Sequence, residues 1–135
     1  MIFVDSNIPM YLVGADHPLK HDAQRMLERA SASGLTLASS AEVVQEILHR
    51  YAAIGRPDAI APAVNALVAV LDVLLPVEFE DALRARDLIL TLPGISARDC
   101  LHVAVMERHA IKRIMSFDAG FDRVPGLDRV RPNAL

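Results

Sequence analysis

The sequence predicts an α/β fold in which helices cover both faces of a mostly parallel central sheet. Short apolar runs with strand character alternate with longer segments whose apolar residues recur at helical spacing. Such alternation produces βαβ units with parallel neighbouring strands. The chain has 135 residues and no internal repeat, and a domain usually has about 150 residues or fewer, so residues 1–135 are expected to form a single domain.

The first half of the chain is predicted to contain two strands and four helices. Ile2 to Val4 is a short apolar run typical of a buried strand, and Asn7 followed by Pro9 can start the first helix. Further predicted elements are helices over residues 18–32, 40–54 and 57–74 and a strand over residues 35–38, with Gly34 and Gly55 as helix stops. The helix over residues 57–74 is so apolar that we expect it to be packed on two sides.

The second half is predicted to contain three strands and two helices. The strands are placed at residues 76–77, 113–116 and 128–131, and the helices at residues 78–92 and 98–110, separated by Pro93-Gly94. The sheet therefore has four to five strands. In open parallel sheets, ligands bind beyond the carboxyl ends of the strands. Polar residues that follow strands are therefore the first candidates for a functional site.

The composition excludes several classes of protein. No stretch reaches the roughly 18 uninterrupted apolar residues of a membrane span, and the first residues lack the basic region of a signal peptide. A single cysteine, Cys100, excludes an internal disulfide framework and a multi-cysteine metal site. We expect a cytoplasmic protein that does not associate with membranes.

The charge and the aromatic content limit how the chain can contact nucleic acid. The net charge is -3, aromatic residues make up 4%, and tryptophan is absent. Neither a basic patch nor a stacking platform for single strands is visible. Any contact with nucleic acid would depend on its phosphate backbone, on arginines or on a metal ion.

Acidic residues occur where a parallel sheet would bring them together. Asp5 ends the first strand, and Asp118 follows the strand over residues 113–116. Asp99 lies in the first turn of one predicted helix, Glu46 lies one turn into another, and Asp122 follows Asp118 by four residues. If the strand ends and helix starts face the same edge of the sheet, four or five carboxylates converge there.

Converging carboxylates predict a site for a hard divalent cation. Like charges in one cleft repel each other, and a cation offsets that repulsion. Mg²⁺ and Mn²⁺ prefer oxygen ligands. Such an ion polarises a phosphate and lowers the pKa of a water that then attacks it. This chemistry needs no histidine, cysteine or organic cofactor.

Structural roles are open for several of these acids. Ser96-x-x-Asp99 is a capping-box pattern, so Asp99 could cap its own helix, and the same pattern makes capping the favoured role of Glu42. Asp118 and Asp122 flank Gly120 and could be turn residues.

Neighbouring basic residues also have two interpretations. Glu46 could pair with Arg50 at i, i+4. Arg50 and Arg98 could grip phosphates or form surface salt bridges. His102 lies one helical turn after Asp99, and a structural hydrogen bond is its favoured role.

Four segments, taken in order and spacing, resemble the PIN domain, and specifically the VapC-type toxins of bacterial toxin–antitoxin modules. They are IFVDSN, SSAEVVQEILHRY, SARDCLHVAV and IMSFDAGFDRVPG. The resemblance implies a three-layer α/β/α sandwich and an Mg²⁺-dependent endoribonuclease, with Mn²⁺ as a plausible substitute. It also implies a homodimer that cleaves RNA and is held inactive by a cognate antitoxin.

The resemblance also assigns roles to residues. It implies that Asp5, Glu46, Asp99 and Asp118 are the catalytic acids, and the choice of Glu46 over Glu42 depends on it. The implied metal ligands are Asp5, Asp99 and Asp118, with Asp122 as a possible further ligand. Asn7 and Ser116 are the implied supporting residues, which orient Asp5 and the last strand end.

Other acid-pocket proteins fit the sequence less well. An aspartate-nucleophile phosphatase needs a second aspartate where this chain has Asn7, and a phosphotransfer receiver needs a lysine at a late strand end, whereas Lys112 precedes its strand. A non-catalytic α/β binding module is the remaining alternative.

Overall fold

A five-stranded parallel sheet forms the centre of the structure, a computed structural model that describes residues 1–133. The strands are β1 (Ile2–Val4), β2 (Leu37–Ser40), β3 (Val73–Leu75), β4 (Arg113–Met115) and β5 (Asp128–Val130). Their order in the sheet is β3-β2-β1-β4-β5, and every neighbouring pair is parallel.

Helices cover both faces of this sheet and complete a three-layer α/β/α sandwich. Within residues 1–133 the α-helices are α1 (Asn7–Val13), α2 (Pro18–Ala32), α3 (Ala41–Ala53), α4 (Ile60–Val70), α5 (Phe79–Thr91) and α6 (Ala97–Arg108). Helix α5 packs against α6, and α1 packs against α2 and α4. None of the helices described is both long and apolar enough to cross a membrane.

Strand β1 is the most deeply buried part of the sheet. Ile2, Phe3 and Val4 are completely buried, because β1 lies between β2 and β4 and helices cover both of its faces. Strand β2 pairs with one edge of β1, and β4, which comes later in the chain, pairs with the other edge. Such a reversal of strand order opens a crevice at the carboxyl ends of the strands, which is where parallel sheets bind ligands.

The predicted fold class and most predicted elements are confirmed. Helix α2 has the predicted bounds, Pro18–Ala32. The predicted stops Gly34 and Gly55 follow α2 and α3 with φ of 67° and 69°. This left-handed conformation suits glycine, which has no Cβ, and it ends a helix.

The third strand and the helix before it were placed wrongly. The helix ends at Val70 instead of residue 74, and the strand is Val73–Leu75 instead of residues 76–77. The apolar run continues from helix into strand, so its periodicity does not mark the change. Asp72 fixes the strand beside β2, because its carboxylate accepts the Leu37 N–H at 2.8 Å and its own N–H donates to the Leu37 carbonyl at 2.9 Å.

Two smaller expectations also need correction. Helix α4 is buried on one face only, through Ala63 and Leu67, whereas Val68 is 54% exposed. Strand β2 lies two residues later than predicted. It includes the buried Ser39, whose hydroxyl donates to the Val4 carbonyl at 2.8 Å. A hydrogen-bonded serine can occupy a buried strand position that an apolar pattern does not indicate.

Candidate active site

Asp5 stands at the carboxyl end of the central strand with both carboxylate oxygens held in place. Its N–H donates to the Met115 carbonyl at 3.0 Å, so the β1–β4 pairing fixes its backbone. Its Oδ1 accepts the Ser6 N–H at 2.7 Å, and its Oδ2 accepts the Ser116 hydroxyl at 2.6 Å and the Asn7 amide at 3.4 Å. Asp5 is 4% exposed, and burial raises its pKa although Ser116 and Ser6 oppose the shift.

Ser116 and Asn7 form a network that joins the two ends of the chain around Asp5. The Ser116 Oγ accepts the Asn7 amide at 3.2 Å and the Asp118 N–H at 3.0 Å. The Asn7 Oδ1 accepts the Phe117 N–H at 3.3 Å. These are the contacts that the predicted supporting roles of Asn7 and Ser116 require.

Helix α3 brings Glu46 to the same edge of the sheet. Its carboxylate accepts the Ser6 hydroxyl at 2.5 Å and lies 3.5 Å from both Arg98 Nη1 and His102 Nε2. Burial favours a higher pKa, but His102, Ser6 and Arg98 outweigh it and hold the pKa of Glu46 at about 2. Glu46 is therefore ionised at neutral pH.

Helix α6 brings Asp99 to the cluster from a further element. The Ser96 hydroxyl caps the helix by accepting the Asp99 N–H at 3.1 Å, but the Asp99 side chain returns no capping bond. Within residues 1–133 this carboxylate has no hydrogen bond or ion pair. Burial and the nearby charge of Asp5 raise the pKa of Asp99 to about 6, and Asp118 and Glu46 act in the same direction. Asp99 is thus free to take a ligand.

His102 is the site residue whose position the sequence did not reveal. It is completely buried one turn after Asp99, and among the described residues its ring nitrogens make charge contacts with acids but no hydrogen bond of good geometry. Its Nε2 lies 3.5 Å from Glu46 Oε1 and 4.0 Å from Asp5 Oδ1. Burial favours a lower pKa, but these acids raise it. The only signal in the sequence was its three-residue spacing from Asp99.

Asp118 lies at the open side of the cluster. Its carboxylate is exposed, and its Oδ1 accepts the Gly120 N–H at 2.8 Å, so it does have the turn role considered for it. Its charge also contributes to the raised pKa of Asp99, which places it within electrostatic range of the other acids.

Asp122 is engaged by arginines instead. Its two oxygens accept Arg129 Nε at 2.9 Å and Arg129 Nη2 at 3.0 Å, and Arg131 Nη2 lies 3.6 Å away. Arg129 lowers the pKa of Asp122. A metal ion would have to compete with these arginines, and the role of Asp122 as a ligand stays a prediction.

The two arginines near the cluster, Arg98 and Arg50, differ in their ion pairs. Arg98 pairs with Glu42 at 3.4 Å as well as with Glu46, so the salt-bridge interpretation holds for Arg98. Glu42 does not cap helix α3, because Ser40 does so by accepting the Val43 N–H at 3.4 Å. Arg50 makes no ion pair with Glu46.

The cluster has the composition and spacing of a cation site. Ligand atoms of Asp5, Glu46 and His102 lie within 4.8 Å of one another, and Asp99 and Asp118 add carboxylates from two further elements. Carboxylate oxygens suit a hard divalent ion. Burial is the main cause of the raised pKa of Asp5 and of Asp99, and neighbouring carboxylates add to it, so ionising both groups without a cation is unfavourable. A divalent cation would supply the compensating positive charge.

The chain belongs to the PIN domain family, whose model matches residues 2–127. It is 58% identical over 130 residues to Ribonuclease VapC13 of Mycobacterium tuberculosis, covering 96% of this chain and 99% of that relative. A VapC ribonuclease of Mycobacterium bovis matches to the same degree. Ribonuclease VapC23 of Mycobacterium tuberculosis is 43% identical over 118 residues, covering 87% of this chain and 93% of that relative. The resemblance predicted from the sequence is confirmed.

Solved structures confirm the predicted fold. The crystal structure of Mycobacterium tuberculosis VapC20, described as a Sarcin-Ricin loop cleaving toxin, superposes with a TM-score of 0.79 at 21% identity, covering 98% of this chain and all of that one. VapBC2 from Rickettsia felis, bound to a DNA fragment from its promoter, gives a TM-score of 0.72 at 18% identity, covering 96% of this chain and 98% of that one. At these identities the likeness establishes the fold alone.

Proposed function

We propose that this chain is a metal-dependent endoribonuclease that acts as the toxin of a toxin–antitoxin pair. The observation that supports this most is the convergence of Asp5, Glu46 and Asp99 at the carboxyl end of β1, with the pKa of Asp5 and of Asp99 raised. Relatives up to 58% identical are named ribonucleases, which supports RNA as the substrate.

The proposed metal ligands are Asp5, Asp99 and Asp118, with Mg²⁺ as the ion and Mn²⁺ as a substitute. Asp122 joins them only if it releases Arg129. A divalent cation supplies Lewis-acid activation of the phosphodiester and lowers the pKa of a water molecule. The hard oxygen donors of the three aspartates fit such an ion.

The chain's own residues position this chemistry. Asn7 and Ser116 fix the orientation of the Asp5 carboxylate through hydrogen bonds to its Oδ2. Glu46 stays ionised and is held by Ser6, so in the proposed reaction its carboxylate would orient the attacking water by accepting a hydrogen bond from it.

The proposal is tested with Asp5→Asn and Asp99→Asn, assayed on total cellular RNA in Mg²⁺. Each change removes one negative ligand, and we expect cleavage to fall at least about 100-fold while circular dichroism shows an unchanged fold. Chelation with EDTA should stop cleavage by the wild type, and Mg²⁺ or Mn²⁺ should restore it. Asp87→Asn, at an exposed residue of α5, is the matched control. Undiminished cleavage by both variants would contradict the mechanism.

The proposal includes a homodimer, an antitoxin partner and a cytoplasmic location. Solved relatives include toxin–antitoxin complexes, which supports the antitoxin partner. The outer face of α5 supports a dimer: Phe79 and Leu90 are each 79% exposed, and with Leu83 and Arg86 they form one stripe along the helix. The single, buried Cys100 suits a reducing compartment.

A further inference from the structure

A second pocket adjoins the acid cluster between α1 and α3. It has a volume of about 200 Å³ and is lined by Asn7, Met10, Tyr11, Arg50 and Tyr51. Asn7 belongs to both sites, because its amide also donates to Asp5. A group in this pocket would therefore lie beside the reacting phosphate of the proposed function.

Aromatic rings are concentrated at this pocket. The chain has two tyrosines, and both line it. The ring of Tyr11 is held edge-on against Phe117, with centroids 5.4 Å apart and an interplanar angle of 89°, and lies 5.2 Å from the ring of His17. The low aromatic content had indicated no stacking platform, but the fold gathers several of the few aromatic rings beside the acids.

A positive charge borders the same pocket. Arg50 is exposed and has no ion pair within residues 1–133, whereas Arg98 is bound by Glu42 and Glu46. Burial raises the pKa of Tyr51, and the charges of Arg56 and Arg50 oppose that shift, which places Arg50 near the tyrosine. The guanidinium is therefore available for an anion from outside the chain.

We propose that this pocket binds one unpaired nucleotide of an RNA strand, with its base stacked on Tyr11 and its phosphate held by Arg50. The inference rests on the proposed function and assigns it a nucleotide subsite beside the acid cluster, with Tyr11 and Arg50 as the binding residues. Stacking on a side chain requires a base that is not already stacked and paired, which loops and single strands offer and duplexes do not. The pocket is large enough for one ring system, so it would read one nucleotide beside the cut.

The first test uses the methionine in the pocket as a reporter. The chain has five methionines, and labelling their methyl groups with ¹³C gives separate signals. AMP, CMP, GMP and UMP are titrated into the metal-free protein. We expect the Met10 signal to shift, while buried Met26 and Met106, which lines a different pocket, stay in place. If none of the four nucleotides moves the Met10 signal, the inference is wrong.

The second test measures the binding of fluorescein-labelled oligouridylate and oligoadenylate in EDTA. We expect Tyr11→Ala to weaken binding on the order of tenfold, and Tyr11→Phe to retain it, because the ring supplies the stacking. Arg50→Ala should weaken binding and lower the salt dependence by about 0.7 in the log–log slope, since one phosphate contact is lost. Arg50→Lys keeps most of that dependence, and Lys112→Ala, at an exposed residue just before β4, is the control for loss of charge.

The outcomes separate this inference from the proposed function. If the wild type cleaves RNA but Tyr11→Ala leaves KM and oligonucleotide affinity unchanged, the pocket inference fails and the function stands. If the wild type cleaves no RNA but Met10 still reports nucleotide binding, the function fails and the pocket stands. If Tyr11→Ala and Arg50→Ala bind and cleave RNA as the wild type does but are no longer inhibited by a co-expressed antitoxin, the pocket binds protein. That result would overturn the inference. The methyl titration needs no variant, so it decides even where Tyr11→Ala does not fold.

Discussion

Two carboxylates at the same edge of the sheet have opposite electrostatic character because their partners differ. Glu46 has a serine, an arginine and a histidine around it, and its pKa is held at about 2. The Asp99 carboxylate has no hydrogen-bond or ion-pair partner within residues 1–133, and its pKa is raised to about 6. A protein that used these residues only for stability would pair both of them. The unpaired Asp99 is a local destabilisation of the kind that functional sites keep.

Asp99→Asn is therefore expected to stabilise the metal-free protein at high pH. A pKa raised from 3.8 to about 6 gives a contribution to stability that is complete below pH 3.8 and is lost as the pH rises through 6. Asparagine removes that loss, so the variant should be more stable by on the order of 1 kcal/mol at about pH 8, after allowance for solvent screening. Near pH 4 the difference should vanish. Urea unfolding in EDTA at both pH values measures it, and a difference independent of pH would contradict this account.

The sequence allows the location of a residue to be predicted where its position along a strand or helix determines direction, whereas the catalytic and metal-binding roles stay predictions. Asp5 follows strand β1, and Asp99 lies in the first turn of helix α6. Both positions face the carboxyl edge of a parallel sheet. The sequence does not identify His102 as a site residue. Its spacing from Asp99 gives the helix face on which it lies, but not its complete burial next to Glu46 and Asp5. Arg50 and Tyr11 were not connected, since they meet only when α1 and α3 pack around the pocket.

At the scale of elements, an ion pair between buried Asp81 and exposed Arg108 joins α5 to α6. The Asp81 carboxylate accepts Arg108 Nε at 2.8 Å and Nη2 at 2.9 Å, and it also accepts the Glu78 N–H at 2.8 Å. Arg108 lowers the pKa of Asp81, which is almost fully buried. Because α6 also carries Asp99 and His102, this pair helps to hold the helix that presents them.

Removing Asp81 should therefore destabilise the fold more than removing an exposed acid on the same helix. Asp81→Ala removes two hydrogen bonds from Arg108, which keeps the Pro76 carbonyl, and one from the Glu78 N–H, and we expect a loss of about 2 kcal/mol in the free energy of unfolding. Asp87→Ala, which breaks only the exposed pair with Arg86, should stay within about 0.5 kcal/mol. Chemical denaturation measures the free energy of unfolding of both variants. Equal losses would show that the Asp81–Arg108 pair stabilises the fold no more than the exposed pair does.

Element boundaries were predictable where the sequence provides a stop signal. Glycines end α2 and α3, and Ser96 starts α6. No such signal separates α4 from β3, and the hydrogen bonds that Asp72 makes to Leu37 come from a strand distant in sequence. The third strand is therefore defined by tertiary contacts that a local pattern does not contain.

At the scale of the whole molecule, the apolar stripe on α5 is suited to pairing with itself. Two α5 helices packed antiparallel across a two-fold axis would place Phe79 of one copy against Leu90 of the other, and Leu83 against Arg86. Such an arrangement buries the two most exposed apolar side chains of the described structure.

Leu90→Asp should therefore produce a monomer. A charge at the end of the stripe would be buried without a partner in the dimer, which is unfavourable. Light scattering after size-exclusion chromatography measures the mass. Ile54→Asp, at an exposed position after α3, is the matched control and should leave the dimer intact. A wild type that is already monomeric, or a Leu90→Asp variant that stays dimeric, would exclude this interface.

The hydrogen bond from Ser116 to Asp5 also has a consequence for synthesis of the chain. It joins residues 111 positions apart, and the β1–β4 pairing that supports it forms only after β4 has emerged from the ribosome. Until then Asp5 lacks both Ser116 and its central place in the sheet. A nascent chain that stops before β4 therefore carries no complete acid cluster. If the finished protein degrades RNA, a nascent chain cannot do so before β4 has joined the sheet.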